Sequence, residues 1–319
     1  MNQAQPAYQF EHRHLLGLAD YSKQDLLYVL EQARYFREIL DRPIPKIPSL
    51  RDKTIVNLFY ENSTRTRVSF ELAQRRMSAD VVNFSAAASS TKKGESLKDT
   101  IRNLESMKID MVVVRHESPG VPHFLTRCVD AGIINAGDGA HEHPTQALLD
   151  LFTIREHFPG RESLEGLKIA IIGDIAHSRV VRSNIIGMRT LGADVVVCGP
   201  KTMIPRGLEL QGVQVSHNID ETLAWCDVAM ALRIQMERQD EGTALFPGVR
   251  EYHRQFGIKR IHLERYPDFK IMHPGPINRG VELESEVADS ERSVILDQVT
   301  NGVAVRMAIL YLIAGGTRS

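Results

Sequence analysis

The chain has 319 residues, 43% of them apolar and 25% charged, with a net charge of −1. That length and composition allow two ordinary domains with packed cores, and the charge lacks the basic excess that marks a nucleic-acid binder. No apolar run approaches the roughly 18 residues of a membrane span, and the first residues lack the charged-then-apolar order of a secretory leader. Three scattered cysteines, Cys128, Cys198 and Cys226, fit a reducing, cytoplasmic compartment better than a disulfide framework.

Residues 25–40 have the apolar spacing of a helix, which the proline-rich stretch 43–48 ends. Residues 54–60 form a β-branched and aromatic run short enough for a buried strand. Helices expected over 68–77, 97–108 and 124–131 then alternate with strands over 81–84, 111–114 and 133–136. A longer helix, 145–157, precedes a second series: strand 168–174, helix 180–191, strand 194–198, a weaker strand 213–215, helix 219–225, and strands 227–231 and 270–273. An apolar-periodic helix over 293–314 closes the pattern. Strands spaced by helices of this length predict parallel βαβ units. The expected fold class is α/β, with two domains, each a parallel β-sheet flanked by helices, and the C-terminal helix packing back on the N-terminal domain. The expected division is 1–147 plus about 298–319 for the first domain and 148–297 for the second.

Ligands of open parallel sheets bind beyond the carboxyl ends of the strands. The loops to read therefore follow Tyr60, Val114, Ala136, Asp174, Ala231 and His273. The first is Glu61-Asn62-Ser63-Thr64-Arg65-Thr66-Arg67, between a strand and a helix. Backbone N–H groups at a helix start carry partial positive charge and point outward. The hydroxyls of Ser63, Thr64 and Thr66 add donors, and Arg65 and Arg67 add fixed charge, a set that matches phosphate oxygens. Plain helix capping explains a Ser or Thr there, but does not call for two arginines in one turn. No G-x-x-x-x-G-K-[ST] segment occurs, and Ile172-Gly173-Asp174 is followed by no further glycines. A pyrophosphate therefore has no close backbone approach, and a small ligand is expected.

Arginine recurs at the other strand ends: Arg115 before His116, Arg179 after His177 and Ser178, and Arg233 before Gln235. If these loops face one cleft, it suits a substrate with several negative charges. Residues 137–146 bring His141, Glu142, His143 and Gln146. His141 and His143 lack further ligands at zinc spacing, so no metal is expected. His143 stands at a predicted helix start, where the dipole favours a neutral imidazole able to donate to a carbonyl oxygen. Glu61 and Asp138 are expected to orient arginines rather than to act as acids.

Taken together, Phe59-Tyr60-Glu61-Asn62-Ser63-Thr64-Arg65-Thr66-Arg67, Lys92-Lys93-Gly94-Glu95, Arg115-His116, His143-Pro144-Thr145-Gln146 and His273-Pro274-Gly275-Pro276 resemble, in that order, the aspartate/ornithine carbamoyltransferase family. Asp174-Ile175-Ala176-His177-Ser178-Arg179 and Arg233-Ile234-Gln235-Met236-Glu237-Arg238 resemble the aspartate-binding loops of its aspartate branch. The H-C-L-P cysteine and the D-x-x-S-M-G motif of the ornithine branch are missing. The resemblance implies transfer of the carbamoyl group of carbamoyl phosphate to L-aspartate, giving N-carbamoyl-L-aspartate and phosphate early in pyrimidine biosynthesis, without a cofactor. It implies that Ser63, Thr64, Arg65, Thr66 and Arg115 hold carbamoyl phosphate in the first domain. Thr66, Arg115 and His143 would polarise its carbonyl oxygen, and Gln146 with the backbone of Gly275 and Pro276 would hold its amide. Arg179, Arg233 and Gln235 would bind aspartate in the second domain. Ser89 and Lys93 lie on a loop that in this family reaches the neighbouring subunit's site, which implies a homotrimer with shared sites. Dihydroorotase is the candidate partner in a larger assembly.

Two residues depart from the His-Pro-Leu-Pro-Arg of other members. Gly275 leaves the backbone acceptors in place, whereas Ile277 removes a positive charge, a variant resembling members that work without a zinc-containing regulatory chain. An ornithine-type or other transcarbamylase is the first alternative; Arg179, Arg233 and the missing cysteine stand against it. A non-catalytic scaffold homologue is the second; the presence of Arg65, Lys93, Arg115, His143 and Gln146 stands against that.

Overall fold

The computed structural model describes residues 8–85, 95–234, 248–266 and 268–315. The chain divides into two compact units, Met1–Leu148 with Asn301–Ser319, and Leu149–Thr300. The first unit holds α1 (Lys23–Leu40), β1 (Thr54–Phe59), α2 (Thr64–Arg76), β2 (Asp80–Ser85), α3 (Leu97–Ser106), β3 (Met111–His116), α4 (Val121–Thr126) and β4 (Gly132–Asp138). Its sheet has the order β2-β1-β3-β4, and the pairings are parallel. Helix α5 (Pro144–His157) leads into the second unit. There β5 (Lys168–Ile172), α6 (Arg179–Thr190), β6 (Asp194–Cys198), β7 (Gln214–Ser216), α7 (Ile219–Trp225), β8 (Val228–Ala231), α8 (Val249–Phe256), α9 (Arg260–Arg265), β9 (Lys270–Met272) and α10 (Ser285–Ala288) precede α11 (Ile295–Ile313). The second sheet is β7-β6-β5-β8-β9, again parallel.

The central strands read as largely apolar runs because helices cover both faces. In β3, Met111, Val112, Val113 and Val114 are all buried. Val56, Leu58, Val112, Val114 and Ile133 form one core cluster with Ile101 and Leu125 from the covering helices. The second unit repeats the arrangement, packing Ala170, Ile172, Ala229 and Ala231 against Tyr252, Phe256 and Leu283. The C-terminal helix packs on the first unit, as expected. Tyr311 meets the edge of Phe36 with ring centroids 5.7 Å apart. Arg306 donates to the Ser69 hydroxyl at 3.1 Å and lies 5.1 Å above the Phe70 ring.

Three differences from the sequence reading have local causes. Helix α2 starts at Thr64 rather than at 68, because Ser63 takes the extended conformation of a helix cap; Thr64, Arg65, Thr66 and Arg67 are thus its first turn, not loop. Helix α4 occupies Val121–Thr126 rather than 124–131: Gly120, at φ 81, turns the chain and Pro122 opens the helix. Helices α8, α9 and α10 were not anticipated. Helix α8 buries only Tyr252 and Phe256, too few positions to display a period.

One buried contact sets α2 on its sheet. Asn57, in the middle of β1, and Gln74, on α2, exchange two amide hydrogen bonds of 2.9 and 2.8 Å. Both residues are buried. Replacing Gln74 by Leu leaves the buried Asn57 oxygen without its donor, while the Asn57 NH2 keeps the Asn83 oxygen at 2.9 Å, so chemical denaturation is expected to show a loss of about 1–3 kcal/mol.

Candidate active site

In the first unit the parallel register places Phe59 of β1 beside Arg115 of β3. The Tyr60 amide continues the ladder, donating to the Arg115 carbonyl at 2.9 Å. Glu61 follows directly, and its carboxylate receives Arg115 Nη2 at 2.7 Å. Nη1 of the same guanidinium donates to the Ala136 carbonyl at 3.2 Å, on β4. Only 8% of Arg115 is exposed. One planar side chain thereby ties together the ends of β1, β3 and β4, and Glu61 orients an arginine as expected.

The start of α2 lies just past this contact. Ser63 caps the helix by backbone conformation alone; its hydroxyl makes no capping bond, and no acid stands in the first turn. The Arg67 amide makes the first helical bond, to the Ser63 carbonyl at 3.2 Å. The amides before it have no acceptor within the helix and lie at the positive end of its dipole. Thr66 is buried, while Arg65 is exposed.

His143 stands at the start of α5, and its carbonyl accepts from the amides of Gln146 and Ala147 at 3.0 and 3.2 Å. The imidazole is 5% exposed, with Nδ1 3.3 Å from the Thr145 hydroxyl. Asp138 does not orient an arginine, contrary to expectation. Its carboxylate is taken by the Asn135 amide at 2.9 Å, the Gly120 N–H at 2.7 Å, the Glu142 N–H at 3.1 Å and His141 Nδ1 at 3.1 Å. It shapes the 138–142 turn instead. Glu142 ties that turn to the N-terminal segment, accepting the Leu18 N–H at 3.1 Å. A Cβ at Gly17 would lie 2.4 Å from the Glu142 carboxylate, so the glycine leaves room for this contact. His116 is held neutral: burial pushes its pKa below the usual value, and Nδ1 accepts the Ser118 N–H at 2.9 Å.

In the second unit, the turn after β5 depends on Gly173, at φ 138, with Leu232 Cβ at 3.0 Å from where a Cβ would sit. Asp174 receives His177 Nδ1 at 2.9 Å. Ser178 precedes α6 in extended conformation without a side-chain capping bond, and Arg179, the first helical residue, is buried. Arg233 follows β8 and is half-buried. Its neighbour Ile234 donates its amide to Glu282 Oε1 at 2.9 Å. Glu282 also accepts the Asn278 backbone N–H at 3.0 Å and the Asn278 side-chain amide at 2.9 Å. Only 1% of Glu282 is exposed, and burial pushes its pKa up. In the last loop Gly275, at φ 68, donates its amide to His273 Nδ1 at 2.8 Å.

Glu282 was not found from the sequence, and Glu142 was singled out only beside His141 and His143, not for its bond to the N-terminal segment. The only signal for Glu282 is an acid between two apolar residues, Val281 and Leu283. Ser89, Lys93 and Gln235 lie outside the described residues. Among the described residues, no group of three or more His, Cys, Asp or Glu side chains is placed to hold a metal ion.

Residues 13–156 match the carbamoyl-P binding domain of the aspartate/ornithine carbamoyltransferases, and residues 165–313 match their Asp/Orn binding domain. The chain belongs to the aspartate/ornithine carbamoyltransferase family. It is 58% identical to the aspartate carbamoyltransferase catalytic subunit of Cytophaga hutchinsonii, covering 95% of this chain and 97% of that one. Similar in structure is the aspartate transcarbamoylase of Trypanosoma cruzi in complex with carbamoyl aspartate and phosphate, with a TM-score of 0.85 and 30% identity over 98% of this chain and 99% of that one. The ornithine carbamoyltransferase of Pyrococcus furiosus has a TM-score of 0.84 and 28% identity over 98% and 100%. The fold is thus common to both branches, and the high sequence identity lies with the aspartate branch.

Removing the Glu282 carboxylate leaves the buried Ile234 amide and the half-buried Asn278 backbone amide without their acceptor. Glu282→Ala is expected to lower stability by about 1–3 kcal/mol in urea titration, and to speed amide exchange at Ile234.

Proposed function

We propose that the chain is an aspartate carbamoyltransferase, transferring the carbamoyl group of carbamoyl phosphate to L-aspartate to give N-carbamoyl-L-aspartate and phosphate. The observation that carries this reading is Arg115, pinned by Glu61 and Ala136 beside a helix start whose Ser63 hydroxyl caps nothing. Phosphate oxygens match that set of donors. Ser63, Thr64, Arg65, Thr66 and Arg115 take the phosphate. Thr66, Arg115 and His143 donate to the carbonyl oxygen, while Gln146 and the backbone of Gly275 and Pro276 hold the carbamoyl amide. Arg179 and Arg233, with Gln235, take the carboxylates of aspartate.

The neutral α-amine of aspartate adds to the carbonyl carbon, and the carbonyl electron pair moves onto oxygen. Donors placed at that oxyanion contribute ~2.7–4 kcal/mol each in comparable sites. As the oxyanion collapses, the bond from carbon to the phosphate oxygen breaks, and the departing phosphate takes the amine proton. No side chain is acylated and no electron leaves the system, so the protein's contribution is positioning and electrostatics. We also infer a cytoplasmic homotrimer in which Ser89 and Lys93 of one subunit complete the site of its neighbour. The free cysteines, two of them buried, support the reducing compartment.

Incubation with carbamoyl phosphate and either aspartate or ornithine is expected to yield carbamoyl aspartate with the first and nothing with the second. Citrulline alone, or no product, would overturn the assignment. Arg65→Ala is expected to abolish turnover and weaken phosphate binding, whereas near-normal kinetics would reduce the turn to a helix cap. Lys93→Ala and Arg65→Ala proteins, each inactive, are expected to regain activity when their subunits are exchanged, since a fraction of the mixed sites then carries both native residues. Absence of recovery after verified exchange would exclude shared sites.

A further inference from the structure

Asp150 is fully buried on α5 and takes no part in the chemistry above. One carboxylate oxygen accepts the Asn184 side-chain amide at 2.8 Å, and the other accepts Gln298 Nε2 at 2.8 Å. Gln298, itself buried, then accepts the His273 backbone N–H on Oε1 at 2.9 Å. His273 in turn accepts the Gly275 N–H on Nδ1 at 2.8 Å. A continuous chain of hydrogen bonds therefore runs from the Asp150 carboxylate to the backbone of the last loop.

The chain has only one sense. The His273 backbone N–H can only donate. Gln298 must turn its oxygen to it, which leaves its NH2 to donate to Asp150. A reversed amide would set oxygen against oxygen at one end and two donors against each other at the other. We propose that Asp150 is a positioning residue: by fixing the Gln298 amide it sets the His273-Pro274-Gly275-Pro276 backbone for the carbamoyl group. The same carboxylate holds α6 through Asn184, on the helix that Arg179 opens. This inference rests on the reading that the Gly275 and Pro276 backbone holds the carbamoyl amide.

The test exchanges the sense of the central bond. Gln298→Glu alone sets two carboxylates against each other. Adding Asp150→Asn turns the first of them into an amide, whose NH2 donates to the carboxylate introduced on α11. The other oxygen of that carboxylate still accepts from His273, and the oxygen of the new amide on α5 still accepts from Asn184. Gln298→Glu is expected to lower kcat/KM for carbamoyl phosphate at least ~10-fold, the scale of losing one buried hydrogen bond in the transition state. It is also expected to speed amide exchange at His273 and Gly275, and the double variant to regain most of both. Asp150→Ala, which removes the acceptor without adding charge, is expected to share the kinetic loss should Gln298→Glu fail to fold. The proposal is overturned if the single variants shift only the thermal midpoint, or if the double variant recovers neither kinetics nor exchange protection. Amide exchange is read without substrate: protection that follows the swap while the native protein makes no carbamoyl aspartate would leave the relay standing and remove the functional reading.

Discussion

A parallel sheet is left by every strand at the same edge, and each crossover must return through a helix. Helix starts and strand ends are therefore gathered at that edge before any functional residue is chosen. In the first unit this constraint brings the ends of β1, β3 and β4 into reach of one guanidinium. Arg115 bonds Glu61 on one side and the Ala136 carbonyl on the other. Burying such a pair costs desolvation that mutual attraction offsets only in part, so its value lies in geometry more than in stability. Three loops are brought into register by a group that still presents positive charge at the strand ends, where an anion binds most readily.

The second unit reaches a comparable end with acids in place of an arginine. Asp174, Asp150 and Glu282 are each buried and accept from backbone or side-chain donors. Each organises the chain beside a residue assigned to binding: Asp174 before Arg179, Glu282 against the residue after Arg233, and Asp150 behind the last loop. A carboxylate facing an anionic ligand would repel it. Turned inward and bonded by donors, the same group stiffens the loop without facing the ligand.

The alternation of strands and helices was legible because the buried stretches of parallel strands are apolar throughout, as 111–114 and 169–172 show. The turn at the start of α2 stood out because hydroxyls and arginines cluster within a few residues. What escaped was of another kind. Helix α4 was displaced because Gly120 and Pro122 set its start more strongly than the apolar residues after them. The role of Asp138 was misjudged because its partners, Gly120, Asn135 and Glu142, include a residue on another loop. Glu282 and Asp150 went unnoticed because a buried acid in sequence is indistinguishable from a solvated one until its donors are assembled around it.

Two of the thiols offer no competing covalent chemistry. Cys198 and Cys226 are buried, burial pushes the Cys198 thiol up, and Cys226 is pushed up to about 12; a thiolate there is a poor prospect at neutral pH. With no nucleophile assigned in the proposed reaction, the rate must come from holding two anionic reactants in register, and error in loop position translates directly into barrier. That explains why so many buried polar groups serve backbone rather than ligand. It also bears on the choice between branches. Because an aspartate and an ornithine enzyme align with this chain almost equally well, at TM-scores of 0.85 and 0.84, the scaffold supplies the positioning common to both. The acceptor substrate must then be selected by a few side chains at the strand ends rather than by the scaffold itself.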